Sequence, residues 1–465
     1  MHFRGVCRSF AEGVGEAEAE GDAHGGRAMG EAPDRPVRIT RTKLSDCAVS
    51  VSRAKWAREA MGPARWEQVK TSGKMCEAAV EAGSLDVLKW ARGAGCDWSE
   101  LTCAFAAECG NLDILQYALH NRCPWDGREA CARAASSGHI GVLQWLVERG
   151  AELGIEHSNA AASGGHLEAL QWLREHGCPW KAKTCASAAA AGQLEVLQWM
   201  REQGCPWDER TTSVAAEVGD LTILKYAHEN GCVWNEKVTW MAASGGHLAL
   251  LQWARSRGAP WDTETSARAA SGGHLEVLKW LKQNGCEADD SVCLLAAMHC
   301  HLPLLKWARE NGYAWSDLMC TVAAQGGDVE VLKFVRSVGS AWNTHSCAAA
   351  AKGGKVEALR YAHENGAPWD ARTCYEAAKN GKLEALKYAR ENGCPWDKWT
   401  FVGAAEKGHI DVMKWARQNG CRIDPTLTFL RASQNGHIPV LQWLKDNLKA
   451  GRGISELIQP RLSSR

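Results

Sequence analysis

The sequence lacks several features that would point to particular classes of protein. It carries no net charge, because 54 Lys and Arg residues are balanced by 54 Asp and Glu residues, so no overall field would attract nucleic acid or an anionic membrane. No stretch approaches the roughly 20 apolar residues that cross a bilayer. The opening MHFRGVCRSFAEG has no apolar run of the length, about 7–15 residues, that a secretory signal needs. These absences predict a cytoplasmic or nuclear protein that does not associate with membranes.

Motifs of catalysis and metal binding are absent from the sequence as well. None of the 20 cysteines occurs in a C-x-x-C pair, the spacing typical of zinc fingers. There is no phosphate-binding loop, no nucleophile elbow and no H-E-x-x-H motif. We therefore predict that the protein is not an enzyme and uses no metal or cofactor.

What the sequence does contain is a repeat. Segments that resemble G-H-L-E-V-L-K-W recur fourteen times along the chain. The repeat length is the number of residues that separates Leu85 from Leu112 in the sequence, and two of the repeats are longer by one residue. An aromatic residue stands five positions after the first apolar residue in every unit. Such a period is the signature of stacked repeats, which bury their core only against their neighbours. The first apolar residues of the units are Leu85, Leu112, Ile140, Leu167, Leu194, Leu221, Leu248, Leu275, Leu302, Val329, Val356, Leu383, Ile410 and Ile438.

One unit, residues 205–231, illustrates how each repeat predicts two short helices. Asp208 is a good N-cap for a first helix, whose small residues recur at helical spacing and allow close packing. Gly219 then predicts a left-handed stop. Asp220 is the N-cap of a second helix, which carries the aromatic position. Glycine occupies the stop in every unit except one, where Cys300 replaces it.

The run AAASGGHLEALQWLREHG, at residues 160–177, resembles the ankyrin repeat. The resemblance extends from residue 72 to about residue 450. Ankyrin units have about 33 residues, and the six that are missing here fall where that family carries its β-hairpin finger. Its T-P-L-H opening is also replaced, by a segment like W-D-x-x-T-C. The resemblance implies an all-α, ankyrin-like α-solenoid of about 14 stacked helix-turn-helix repeats, with fingers reduced to a Cys-Pro-Trp turn.

The ends of the chain depart from this pattern. Residues 1–43 have no periodicity and predict a disordered N-terminal segment. Residues 44–71 predict a degenerate capping repeat, because the run at 51–66 echoes a second helix and a Pro-Trp turn. The ankyrin-like array of 14 units then covers residues 72–450, and residues 451–465 form a C-terminal tail.

Cysteine, histidine and tryptophan recur at fixed repeat positions, which favours structural roles. Sixteen cysteines lie in the turn or the first helix, and we expect buried, unpaired fillers, because equivalent cysteines of neighbouring units should be about 10 Å apart. Tryptophans in the turn are expected to cover the seam between units; the alternative is a stacking platform for bases or sugars. The histidines before the second helix are expected to make capping or bridging hydrogen bonds, and they are His139, His166, His247, His274, His301, His409 and His437.

Exposed positions of the first helix vary from unit to unit and predict a binding surface. One set of positions, which we call the first-helix stripe, recurs at the same place in successive repeats; its residues are Lys183, Arg210, Lys237, Glu264, Ser291, Leu318, His345, Arg372 and Trp399. Tryptophan and arginine on a surface are typical interface anchors, and no repeat rule requires an aromatic residue at Trp240 or Trp399. The predicted partner-binding residues are Arg133, Lys183, Arg210, Lys237, Trp240, Arg268, Arg372 and Trp399.

Three functions remain open at this point. The first is a monomeric, non-catalytic scaffold that binds a partner protein along the concave, first-helix face; it depends partly on analogy with the ankyrin fold. The second is an RNA-binding α-solenoid that uses Lys183, Arg210 and Lys237 together with the surplus aromatic residues; its affinity would fall steeply with salt. Zero net charge disfavours nucleic acid. The third is an adaptor that delivers clients to an enzyme complex, although no second domain is evident in the sequence.

Overall fold

A computed structural model describes residues 44–447 of the chain. The segment 1–43 and the tail 451–465 lie outside the described residues. The described chain divides into two compact units, unit 1 in residues 44–97 and unit 2 in residues 98–447. Every regular element between residues 44 and 447 is an α-helix, which confirms the all-α prediction.

Unit 1 contains five helices. The last two of them, α4 and α5, form the first regular helix pair. The helices are α1 (Leu44–Cys47), α2 (Val51–Met61), α3 (Pro63–Thr71), α4 (Lys74–Glu81) and α5 (Leu85–Gly93).

The start of unit 1 differs from the expected turn. Pro63 and Trp66 lie within the first turn of α3, where proline is tolerated because its missing N–H would have no helical partner. Trp66 is nevertheless buried against Trp90, with 6.0 Å between the ring centroids. Trp66 therefore packs as we expected of a turn tryptophan, although it lies in a helix.

Unit 2 consists of thirteen helix pairs, in which each first helix packs on its own second helix and on the first helices of the neighbouring repeats. The first helices are α6 (Thr102–Glu108), α8 (Gly127–Ser136), α10 (Ile155–Gly164), α12 (Ala182–Ala190), α14 (Glu209–Val218), α16 (Lys237–Ser244), α18 (Thr263–Gly272), α20 (Ser291–Met298), α22 (Met319–Gly326), α24 (Thr344–Gly353), α26 (Ala371–Lys379), α28 (Lys398–Glu406) and α30 (Pro425–Gln434). The second helices are α7 (Leu112–His120), α9 (Ile140–Glu148), α11 (Leu167–Glu175), α13 (Leu194–Glu202), α15 (Leu221–Glu229), α17 (Leu248–Ser256), α19 (Leu275–Gln283), α21 (Leu302–Glu310), α23 (Val329–Ser337), α25 (Val356–Glu364), α27 (Leu383–Glu391), α29 (Ile410–Gln418) and α31 (Ile438–Asn447).

Local chemistry explains why the helices begin where they do. The side chain of Asp208 accepts a hydrogen bond from the backbone N–H of Arg210 and starts α14. Asp220 caps α15 in the same way. Small buried residues, such as Ala215 and Ala216, then let successive first helices approach closely. The caps and the small-residue face that the sequence predicts are confirmed.

The glycine between the two helices has a second role beyond ending the first helix. Gly219 adopts φ +78°, and an added Cβ atom would lie 2.5 Å from the ring of His247 in the next repeat. The Nε2 atom of His247 is 3.1 Å from the carbonyl oxygen of Glu217 and can donate a hydrogen bond to it. Bridging is therefore the role of this histidine, and His139, His274 and His301 make equivalent bonds.

Turn tryptophans fill the seam between second helices, as predicted. Trp180 lies between the Arg174 guanidinium, 4.5 Å from its ring centroid, and the ring of Trp199, 5.8 Å away in an edge-on arrangement. Both arrangements are favourable for an aromatic quadrupole. The same combination recurs along unit 2, for example at Trp261 between Arg255 and Trp280.

Candidate partner-binding surface

The repeat places the first part of the first-helix stripe in one row. Lys183 and Arg210 are the second residues of α12 and α14, and Lys237 is the first residue of α16. These three helices pack in succession, and all three side chains are exposed. The structure therefore brings these predicted residues together on neighbouring repeats.

A second group of predicted residues lies farther along the array. Arg372 and Trp399 occupy the same position on α26 and α28, which pack together. Trp399 keeps 43% of its surface exposed, and Leu318 of the same stripe keeps 52%. Large apolar side chains thus reach solvent at stripe positions where the repeat core does not require them.

Two of the predicted residues are less exposed than expected. Trp240 is half-buried because its Nε1–H donates to Asp262 Oδ1 over 2.7 Å. Arg133 is half-buried because it pairs with Glu108 on the preceding first helix and lies over the Phe105 ring, 5.2 Å from its centroid. Contacts between neighbouring first helices, which the repeat pattern does not specify, account for both differences.

Carboxylates neutralise the arginines of the predicted set. Lys183 and Lys237, by contrast, have no such carboxylate partner among residues 44–447. The surface is consequently a mosaic of ion pairs and apolar side chains, with no continuous basic stripe. The pairs are Arg133 with Glu108 and Glu129, Arg210 with Asp208, Arg268 with Glu264, and Arg372 with Asp370.

The sequence-based selection missed the carboxylates of these pairs. Asp370 caps α26 and also accepts hydrogen bonds from the Arg372 guanidinium, with Nη2 to Oδ2 at 2.7 Å. This hydrogen bond lowers the pKa of Asp370 below its ordinary value. The guanidinium also contacts His345 and Thr344 on the preceding first helix. The spacing D-x-R, in which one aspartate serves both cap and arginine, was a readable signal for this cluster.

Other chemistry on the described residues is limited. No group of three His, Cys, Asp or Glu side chains in this part of the chain could hold a metal ion. A pocket of about 290 Å³ in unit 1 is lined by Leu44, Cys47, Met61 and Val69 among others, whereas all the predicted binding residues belong to unit 2. Between residues 44 and 447, every helix is too short or too polar to cross a membrane.

Comparisons with known proteins gave a weak structural similarity. Neither a family model nor a curated protein matches the sequence. Among solved structures, the chain is similar to the crystal structure of the human ASB11 ankyrin repeat domain, with 21% identity and a TM-score of 0.30. That match covers 34% of this chain and 84% of the other. The described helix pairs form a stacked, all-helical array. A likeness of this size identifies neither a function nor a partner.

Proposed function

We propose that the protein is a non-catalytic scaffold that binds a partner protein along the first-helix face of its repeats. The observation that carries this proposal is the contrast within each repeat between constant buried positions and variable exposed ones. The positions of Ala215 and Ala216 are buried alanines in almost every repeat. At stripe positions the same helices carry lysine, arginine, glutamate, serine, leucine, histidine or tryptophan. A fixed core therefore supports a changeable surface.

The chemical character of the stripe supports a protein partner. Exposed Trp399 and Leu318 offer apolar contact area, and the arginines are held by carboxylates in fixed orientations, as on the Asp370 side chain. Aromatic and arginine anchors surrounded by polar groups are typical of protein interfaces.

RNA binding is the alternative, and one observation favours it. Lys183 and Lys237 are exposed on either side of Arg210, in a row that could contact phosphate groups. Arg210, however, is paired with Asp208, so the row is interrupted by a negative charge. Nucleic-acid affinity depends on the number of phosphates that cations neutralise, and two lysines would supply little of it.

The test is co-purification from a reducing, nuclease-treated lysate, with identification of the proteins that are retained. One variant combines Trp399→Ala with charge reversal at Lys183, Arg210 and Lys237. We expect a protein that the wild type retains and this variant loses, while circular dichroism shows that the variant is folded.

A control variant carries the same change of charge on the second helices. Lys279, Lys333 and Lys387 lie there and pair with glutamates three residues before them, and reversing them should leave partner binding intact. Loss of binding in both variants would contradict a specific first-helix interface. Binding that is present in an untreated lysate, disappears after nuclease treatment and weakens steeply as salt rises would support RNA instead.

A further inference from the structure

Four of the described repeats have cysteine both on the first helix and in the turn after the second helix; one of these pairs is Cys76 and Cys96, and in the other three the two side chains interact directly. In these three, the side chain of the first-helix cysteine interacts with that of the turn cysteine of the same repeat, and all six side chains are buried. The expectation of isolated thiols compared only equivalent cysteines of neighbouring repeats and so overlooked pairs within one repeat. The pairs are Cys103 with Cys123, Cys185 with Cys205, and Cys374 with Cys394.

Repeats with serine at the first-helix position show the distance between the two sites directly. The Ser158 hydroxyl donates to the Cys178 sulfur over 3.1 Å, and the Ser266 hydroxyl to the Cys286 sulfur over 3.5 Å. Because the repeats share one backbone arrangement, a cysteine in place of serine brings two sulfur atoms to similar separation. A short movement of side chains would then reach the bond length of a disulfide, about 2.0 Å.

The turn cysteine has a structural bond of its own. Cys394 donates to the carbonyl oxygen of Asp370, 3.4 Å away, and Cys205 donates to that of Lys181, 3.8 Å away. Repeats without a second cysteine keep this bond, as at Cys421 and Asp397. The bond explains why cysteine recurs in the turn. It does not require a second cysteine on the first helix.

In two of the three pairs, neighbouring groups lower the pKa of the turn cysteine, against the effect of burial, which raises it. The hydrogen bond from Cys185, together with the positive charge of Arg201, lowers the pKa of Cys205. The Arg201 guanidinium is held there by a hydrogen bond to the carbonyl oxygen of Cys205. Cys394 is similar, since the hydrogen bond from Cys374 and the charge of Arg390 lower its pKa. Thiolates, not thiols, react with oxidants.

We propose that these three cysteine pairs are oxidation sites at which a small peroxide forms a disulfide within one repeat. The turn thiolate attacks one peroxide oxygen, the O–O bond breaks, and a sulfenic acid and hydroxide result. The first-helix sulfur then attacks the sulfenic sulfur, an S–S bond forms, and the sulfenic oxygen leaves as water. In total, two thiols and one hydrogen peroxide give one disulfide and two waters. The bond links the start of a first helix to the turn after the second helix of the same repeat.

The test treats the full-length, reduced protein with hydrogen peroxide while circular dichroism shows that it remains folded. Remaining thiols are then alkylated, and the protein is digested without reduction and analysed by mass spectrometry. We expect cross-linked peptides that join Cys103 to Cys123, Cys185 to Cys205 and Cys374 to Cys394. The thermal midpoint of the oxidised protein should rise and return to its original value on reduction, because each bond closes a loop in the unfolded chain.

Two other repeats of the same chain provide controls for this test. Cys185→Ser reproduces the natural serine–cysteine arrangement of Ser158, so it should fold, lose one cross-link and keep the other two. Cys347 faces Ala367 at the equivalent position and should form no intramolecular disulfide. Oxidation of the exposed Cys109 is the positive control, because it shows that the peroxide is active. Oxidation of Cys109 with all three pairs still reduced would overturn the proposal, and so would cross-links scattered among different repeats.

Discussion

The two sides of each repeat follow opposite rules. Along the seam between second helices, the aromatic position is filled by an aromatic residue in all fourteen units, and in several of them a turn tryptophan packs against it, as Trp180 does against Trp199. Along the first-helix stripe, the residue changes from repeat to repeat, and Trp399 and Leu318 remain exposed. Positions that hold repeats together are constant, while positions free of that task vary. We expect mutations on the two sides to separate stability from binding.

The largest loss of stability is expected at a glycine between the two helices of a repeat, where both the backbone conformation and the close packing of the next repeat disfavour a side chain. Gly273→Ala introduces a Cβ atom 2.5 Å from the His301 ring at φ +76°. Backbone strain and the clash should together lower the free energy of unfolding by about 2–4 kcal/mol. Hydrogen exchange of the neighbouring repeats measures this effect locally, repeat by repeat.

The matched control for this substitution is Gly285→Ala. Gly285 has nearly the same φ, +75°, but nothing lies within 4 Å of the added Cβ. Only the backbone cost, about 1 kcal/mol, should remain. Equal losses for the two variants would show that the histidine of the next repeat does not constrain the glycine.

A smaller effect is expected for a seam aromatic residue. Trp199→Ala removes a half-buried ring that packs against Trp180, and we expect a loss of about 2–3 kcal/mol. Trp399→Ala, on the first-helix stripe, should cost less than about 1 kcal/mol while it weakens partner binding. Denaturation midpoints that shift equally in the two variants would remove the distinction between seam and stripe.

The smallest effect is electrostatic and lies within the stripe. Arg372→Met removes the hydrogen bonds that lower the pKa of Asp370, so this pKa should rise toward the ordinary aspartate value. An NMR titration of the Asp370 carboxyl carbon measures the change. Arg210→Met is the control, since Arg210 pairs with Asp208 in a different repeat. An unchanged Asp370 pKa in the Arg372 variant would mean that the pair is not formed in solution.

Much of the fold could be predicted because the ends of each helix depend on residues that are close together in the sequence. Asp208 and Gly219 mark the ends of a helix through hydrogen bonds and backbone preferences that involve only nearby residues. Cys300 shows the limit of such rules, because it takes the left-handed conformation, φ 62°, where the other repeats have glycine. This conformation is unfavourable for a residue other than glycine, so the local preference of cysteine does not predict it.

The candidate site was predicted less completely than the fold. The stripe positions of Lys183 and Arg372 could be read from the period, since a fixed step places residues at the same point of successive helices. The half-burial of Trp240 against Asp262 could not be read in this way, because it depends on which side chains meet across two repeats.

The sequence by itself determined the period and the two helices of each repeat, since both follow from local preferences repeated fourteen times. Only the tertiary structure decided which repeated side chains touch. It brings Ser158 against Cys178 from the two ends of one repeat and places Arg372 between Asp370 and His345. Such contacts depend on the distance between packed helices and on side-chain rotamers, and a one-dimensional pattern contains neither.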